Sequence, residues 1–176
     1  MLIRPSKPDD LDGITSIYAH HVLSGTGTFE TAPPGLEEMT RRHAEVLARR
    51  LPWLVVQQGG RLMGFAYANA FRPRPAYRFT LEDSVYLHPE AMGHGVGRIL
   101  LTELLARCED SGHRQMLAVI GDSENAGSIG LHRAAGFVDA GVLRCVGWKF
   151  GRWLDVVLMQ RSLGLASQPL ATDGAL

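Results

Sequence analysis

The 176-residue sequence predicts one α/β domain over residues 1–163, with elements in the order β-α-α-β-β-β-α-β-α-β-β. Three observations carry that reading. Gly59-Gly60 separates two strand-like runs, 53–58 and 61–71, at the two-residue spacing of a hairpin. The run Leu81 to Leu87 ends at His88-Pro89 and is followed by a glycine-rich turn. After that turn, apolar residues at 96, 99, 100, 104 and 108 repeat at helical spacing. Met116 to Ile120 is a continuous apolar run, the pattern of a strand buried on both faces.

The remaining elements follow in order. Leu2 to Arg4 predicts a short first strand. Ser6-Lys7-Pro8-Asp9-Asp10 supplies the proline and acids that suit a first helical turn, and Leu11, Ile14, Ile17, Tyr18 and Val22 form one apolar face. Ser24-Gly25-Thr26-Gly27 breaks that helix. A second amphipathic helix is expected from Leu36 to about Arg50, with Met39, Val46 and Leu47 inward. Ser128 to Ala135 reads as a helix stopped by Gly136. Two last strands, 142–149 and 153–160, are expected to turn at Gly151-Arg152, and the small, polar segment 164–176 reads as a disordered tail.

Composition narrows the function classes. Equal numbers of basic and acidic side chains give zero net charge, which points away from nucleic acid and from an acidic tail. Two cysteines, Cys108 and Cys145, are too few for a disulfide framework or a zinc site, and the histidines show no metal-ligand spacing. No apolar run reaches the roughly 18 residues needed to span a bilayer. With no charged-then-apolar leader, the cytoplasm is the expected location. No metal is expected.

The turn Met92-Gly93-His94-Gly95-Val96-Gly97-Arg98 is the strongest functional signal. Between a strand and a helix start, glycines let the backbone approach a ligand, and the unpaired N–H groups of the first helical turn favour an anion. A P-loop would continue Gly-Lys-Ser/Thr, and a dinucleotide fingerprint would place a third glycine where Arg98 stands. A tight turn that binds nothing stays open on this motif alone.

A second motif lies about 30 residues on. Asn125-x-x-Ser128-x-x-x-His132-x-x-x-Gly136-Phe137 marks a helix with a Gly-aromatic exit. With the glycine turn, it resembles the two signatures of the GCN5-related N-acetyltransferases. Further features resemble the phosphinothricin and methionine sulfoximine acetyltransferase branch: Thr28-Phe29-Glu30-Thr31, Arg72-x-Arg74-x-Ala76-Tyr77, Glu82-x-Ser84-Val85-Tyr86 and Gly147 to Asp155. The resemblance covers roughly residues 2–162. It implies a mixed, mostly antiparallel sheet with helices on both faces, opened where the strands of Val85 and Val119 splay apart to admit acetyl-CoA. Pantetheine would pair with the backbone of Val85, Tyr86 and Leu87. The diphosphate would sit on Gly93, His94, Gly95, Val96, Gly97 and Arg98, with Asn125 and Ser128 beside it. Met92 departs from the family's usual Gln or Arg. A homodimer is also implied.

Acetyl transfer to an amine needs a proton acceptor, a polarised carbonyl and a way to neutralise the departing thiolate. Glu82 is the expected base, although a solvated strand carboxylate reads the same way in sequence. Asp83 should face away by strand alternation. A backbone N–H near Val85, where the family's strand bulges, would polarise the carbonyl. His132 stands where many family members have a tyrosine; it either protonates the thiolate or only packs beside it. Asn125 and Ser128 also suit simple helix capping. Arg72 and Arg74, two apart on an extended segment, share a face and suit a carboxylate or phosphinate, unless they lie on a solvated loop. Phe29 and Tyr77 would wall an apolar stem. The expected activity is acetylation of the α-amine of a small amino-acid analogue by direct transfer, since neither cysteine falls in a motif. Another amine, such as a peptide N-terminus or polyamine, or a non-catalytic acyl-CoA sensor, are the alternatives.

Overall fold

The computed structural model describes residues 1–164. All but the first residue of the expected tail, 164–176, lies outside them. Seven strands form one sheet: β1 (Leu2–Pro5), β2 (Trp53–Gln58), β3 (Arg61–Ala70), β4 (Thr80–Leu87), β5 (Gln115–Gly121), β6 (Val138–Lys149) and β7 (Arg152–Ser162). Their order is β1-β2-β3-β4-β5-β7-β6. Every neighbouring pair is antiparallel except β4 and β5. That one parallel pair requires a crossover, and α3 (Val96–Asp110) supplies it. The other helices are α1 (Leu11–Ser24), α2 (Leu36–Ala48) and α4 (Ala126–Ala134). The predicted element order is therefore the observed one.

Helices cover both faces. The β2–β3–β4 register lines up Trp53, Tyr67, Phe65 and Tyr86 on one face, where Trp53 stacks on Tyr67 with ring centroids 4.2 Å apart. Tyr18 of α1 meets Tyr86 edge-on at 4.9 Å, and His43 of α2 meets Trp53 at 5.1 Å. On the opposite face, α3 buries Leu100, Leu101, Leu104, Leu105 and Cys108. Burial of such side chains contributes roughly 1.5–3 kcal/mol each, so α3 anchors the centre of the sheet.

Several expectations need correction. Leu47 is exposed and His43 is inward in α2, because positions 39, 43 and 46 share one stripe and 47 lies about 100° beyond it. Ile99 is likewise exposed in α3, whose buried stripe takes Leu101 and Leu105 instead. β5 is not buried on both faces: Leu117 is half-buried while still paired with Glu82, and Val119 is exposed beyond the last rung, where β4 has parted from β5. β6 begins at Val138 rather than 142, with register shifts at 139/141 and 143/147. Its turn to β7 falls at Phe150-Gly151, both with positive φ (52° and 72°), one residue earlier than expected. Gly59 and Gly60 (59° and 80°) form the expected hairpin turn.

Candidate active site

The site begins where two strands stop pairing. β4 and β5 share four rungs, from Thr80↔Gln115 to Asp83↔Ala118. Beyond that rung β4 stays with β3 up to Gly64↔Leu87, while β5 stays with β7 up to Gly121↔Val156. Each strand follows its outer neighbour, and a cleft of about 850 Å³ opens between them. The bulge implied near Val85 is absent, for the β3–β4 register runs from Ala70↔Leu81 to Gly64↔Leu87 without a shift. The opening comes from strand divergence instead.

One end of the cleft is the glycine turn. Gly93 and Gly95 have φ of 75° and 77°, a left-handed conformation that L side chains rarely adopt, and an added Cβ on either would meet nothing within 4 Å. Gly95 is the N-cap of α3, so the N–H groups of Val96 and Gly97 have no intrahelical acceptor. Gly97 is small for a different reason: its Cβ would stand 3.3 Å from the side chains of Leu131 and Leu87, which close α3 onto α4 and β4. Arg98 lines the same rim, as does the exposed Met92. Backbone donors, a helix N-terminus and one guanidinium suit an anionic diphosphate. Opposite them, Asn125 caps α4 by accepting from the Ser128 N–H at 3.1 Å, and both residues line the cleft. Capping and ligand contact are compatible here.

The apex holds two carboxylates on opposite faces of β4. Glu82 is half-buried on the face that also carries Tyr67 and Ser84. Burial, then the adjacent Asp83 charge, push its carboxyl above the ordinary range, while Arg72 pulls it back. Asp83 is buried and accepts from His132 Nε2 at 3.0 Å. His132 Nδ1 donates to the Ser128 carbonyl at 2.7 Å. Burial alone would lower the imidazole's pKa, but the hydrogen bond and charge of Asp83, with the Ser128 carbonyl, outweigh it and the net shift is upward. With both ring nitrogens engaged, a proton leaves His132 only when one of these bonds breaks.

The cleft thus brings together Glu82, His132, Val85, Tyr86, Leu87, Gly93, Gly95, Gly97, Arg98, Asn125 and Ser128. His94 is exposed on the turn and Val96 is buried under it, and neither side lines the cleft. Phe29, Arg72, Arg74 and Tyr77 also lie outside its lining. Phe29 is wedged against Gly121 and Gly147, where added Cβ atoms would come within 2.9 Å and 2.2 Å of its ring. Arg72 sits over the Phe71 ring at 5.0 Å, and Tyr77 meets the same ring edge-on at 5.6 Å. Arg74 is exposed, with extended backbone (φ −78°, ψ 139°), just before a 3₁₀ turn. On the β6–β7 hairpin Trp148, Phe150 and Trp153 are exposed, while Lys149 is buried and donates to the Gly25 and Thr28 carbonyls at 2.8 Å.

Sequence reasoning missed part of the lining. Thr26 and Thr28 belong to the segment after α1, His21 caps the Leu87 carbonyl at 2.8 Å, and Arg152 is held over the rim by Asp122 at 2.6 Å. Thr28 and Arg152 lie in segments that carry the resemblance, Thr28 to Thr31 and Gly147 to Asp155, but neither had been given a role there. The Asp83–His132 contact spans 49 residues and leaves no local signal.

Known proteins share this fold and much of the sequence. The acetyltransferase (GNAT) family model matches residues 14–137. The chain is 57% identical to the phosphinothricin N-acetyltransferase of Alcaligenes faecalis over 96% of its own length and 85% of that protein. It is 37% identical to the L-methionine sulfoximine/L-methionine sulfone acetyltransferase of Salmonella typhimurium, covering 96% and 98% of the two chains. A crystal structure of a phosphinothricin acetyltransferase from Sinorhizobium meliloti in complex with AcCoA superposes with a TM-score of 0.94 at 46% identity, covering 98% and 94%.

Proposed function

The chain belongs to the GNAT acetyltransferase family, and from that premise we propose that it transfers acetyl from acetyl-CoA to the α-amine of a small anionic amino-acid analogue of the phosphinothricin or methionine sulfoximine type. The observation that carries the reading is the parting of β4 and β5 at Asp83↔Ala118, which exposes Glu82 at the apex of a cleft whose far end is an anion-binding turn. Bound acetyl-CoA supplies an activated acyl carbon. The turn from Gly93 to Gly97 and Arg98 hold its diphosphate, and the free edge of Val85, Tyr86 and Leu87 holds its pantetheine arm. A carboxyl raised by burial suits Glu82 to accept the amine proton, directly or through a water. The amine nitrogen then bonds to the acyl carbon, the C–S bond breaks, and His132 supplies positive charge beside the departing sulfur. Arg72, close enough to act on Glu82, offers a cation for the substrate's acidic group. Arg74 and Tyr77 complete that side in this proposal, and Phe29 braces the rim beside it.

The same reading includes a homodimer in the cytoplasm. Strand β6 is a sheet edge of 12 residues; Val146 and Trp148 are exposed on it, Phe150 in its turn and Trp153 at the start of β7. Such an edge invites a second copy. Among the described residues no helix is long and apolar enough to cross a membrane.

Thiol release measured with acetyl-CoA and phosphinothricin, methionine sulfoximine or methionine sulfone tests the activity. Glu82→Gln should lower kcat by about 10²-fold or more and leave acetyl-CoA affinity within about twofold. No release above background with any of the three amines defeats the substrate assignment.

A further inference from the structure

Asp83 is the group at the cleft apex that the proposed reaction leaves unused. Its carboxyl is buried and has one ion-pair partner among the described residues, His132, with side-chain exposures of 1% and 6%. Its second oxygen, Oδ1, is buried without any hydrogen-bond partner. A buried carboxylate left half-satisfied is costly unless an opposite charge offsets it. The ring provides that charge. A carbonyl oxygen only accepts, so Nδ1 must carry a proton toward Ser128. An ionised Asp83 also only accepts, so in the charged pair Nε2 carries a proton toward it. A neutral ring would turn a lone pair on the carboxylate. The edge-on contact with Phe137, centroids 5.0 Å apart, fixes the ring plane from a third side.

We propose that Asp83 is a positioning residue of the acetyl transfer, which clamps His132 between two acceptors and keeps both ring nitrogens protonated at the point where β4 and β5 part. This rests on the acetyl-transfer reading for its purpose, a fixed cation where a thiolate departs, and on geometry for its existence. The other groups facing the pair add no charge on its own side of β4. Cys108 of α3 is pushed up to about 12 by burial and by Asp83, and stays a neutral thiol. Glu82 projects from the opposite face of β4. Ser128 contributes its carbonyl, with its hydroxyl 3.4 Å from Nδ1.

The imidazolium is lost as pH rises through the pKa of His132, so the clamp extends the charged form to higher pH. The test is an NMR titration of His132 in the ligand-free protein, comparing wild type with Asp83→Asn. The midpoint should fall by about one pH unit or more, a roughly tenfold change in proton affinity. In thiol-release assays the alkaline limb of kcat should move down with it. Asp83→Asn should lower kcat about tenfold at pH 8 in the wild-type background and less than about twofold in His132→Gln, because the two residues act as a unit. If Asp83→Asn fails to fold, Asp83→Ser serves the same comparison. An unmoved His132 midpoint, or an equal loss of kcat in both backgrounds, overturns the proposal. Absence of acetyl transfer in the wild type defeats the activity reading instead, and the titration still decides whether the clamp exists.

Discussion

At the residue scale, Glu82 governs the low-pH side of the proposed reaction. It works as a base only when ionised, so kcat should fall as pH drops through its raised pKa. Arg72 opposes that rise, and removing its charge should lift the pKa of Glu82 further. Arg72→Gln is therefore expected to shift the acid limb of the pH–kcat profile upward by a few tenths of a unit and to raise KM for the amine. An acid limb that stays in place would separate Arg72 from Glu82 in solution. Glu82 and its strand were legible in the sequence because a β-strand alternates and its turn residues are local. Asp83 was read only as facing away, since what it meets on that side comes from α4.

At the element scale, the rim of the cleft depends on how the 25–30 segment is pressed onto the sheet. Lys149 holds the Gly25 and Thr28 carbonyls, and Phe29 lies on Gly121 and Gly147. A methyl group at 147 would overlap the Phe29 ring at 2.2 Å and cannot be absorbed without moving the segment. Gly147→Ala should lower Tm by several degrees, consistent with an overpacking cost of about 1–3 kcal/mol. It should also raise the amine KM several-fold while leaving acetyl-CoA affinity nearly unchanged, since the diphosphate turn lies elsewhere. Differential scanning fluorimetry and steady-state kinetics read these two effects. An unchanged amine KM would show that the segment takes no part in the acceptor side.

At the scale of the whole molecule, one chain leaves the β6 edge uncovered, with Trp148 of β6 in register with Trp153 of β7, ring centroids 5.1 Å apart. Sedimentation velocity is expected to find a dimer, and Trp153→Lys should shift it toward monomer. A wild-type monomer at micromolar concentration would remove the dimer from the proposal. Arg72, Arg74 and Tyr77 lie outside the cleft of a single chain, so the acceptor side is the part of the site that one chain assembles least completely.

The sequence by itself determined the order of the elements, the glycine turn at the start of α3 and the position of Glu82 on its strand. All of these rest on dihedral preferences, turn chemistry and side-chain periodicity within a few residues. Only the tertiary structure decided that β4 and β5 separate after Asp83, that Asp83 faces His132, that Phe29 braces the rim instead of lining the cleft, and that Val119 is open. Those outcomes depend on which strand each neighbour follows and on contacts 35 or more residues apart, where burial and charge are set by packing and no local pattern records them.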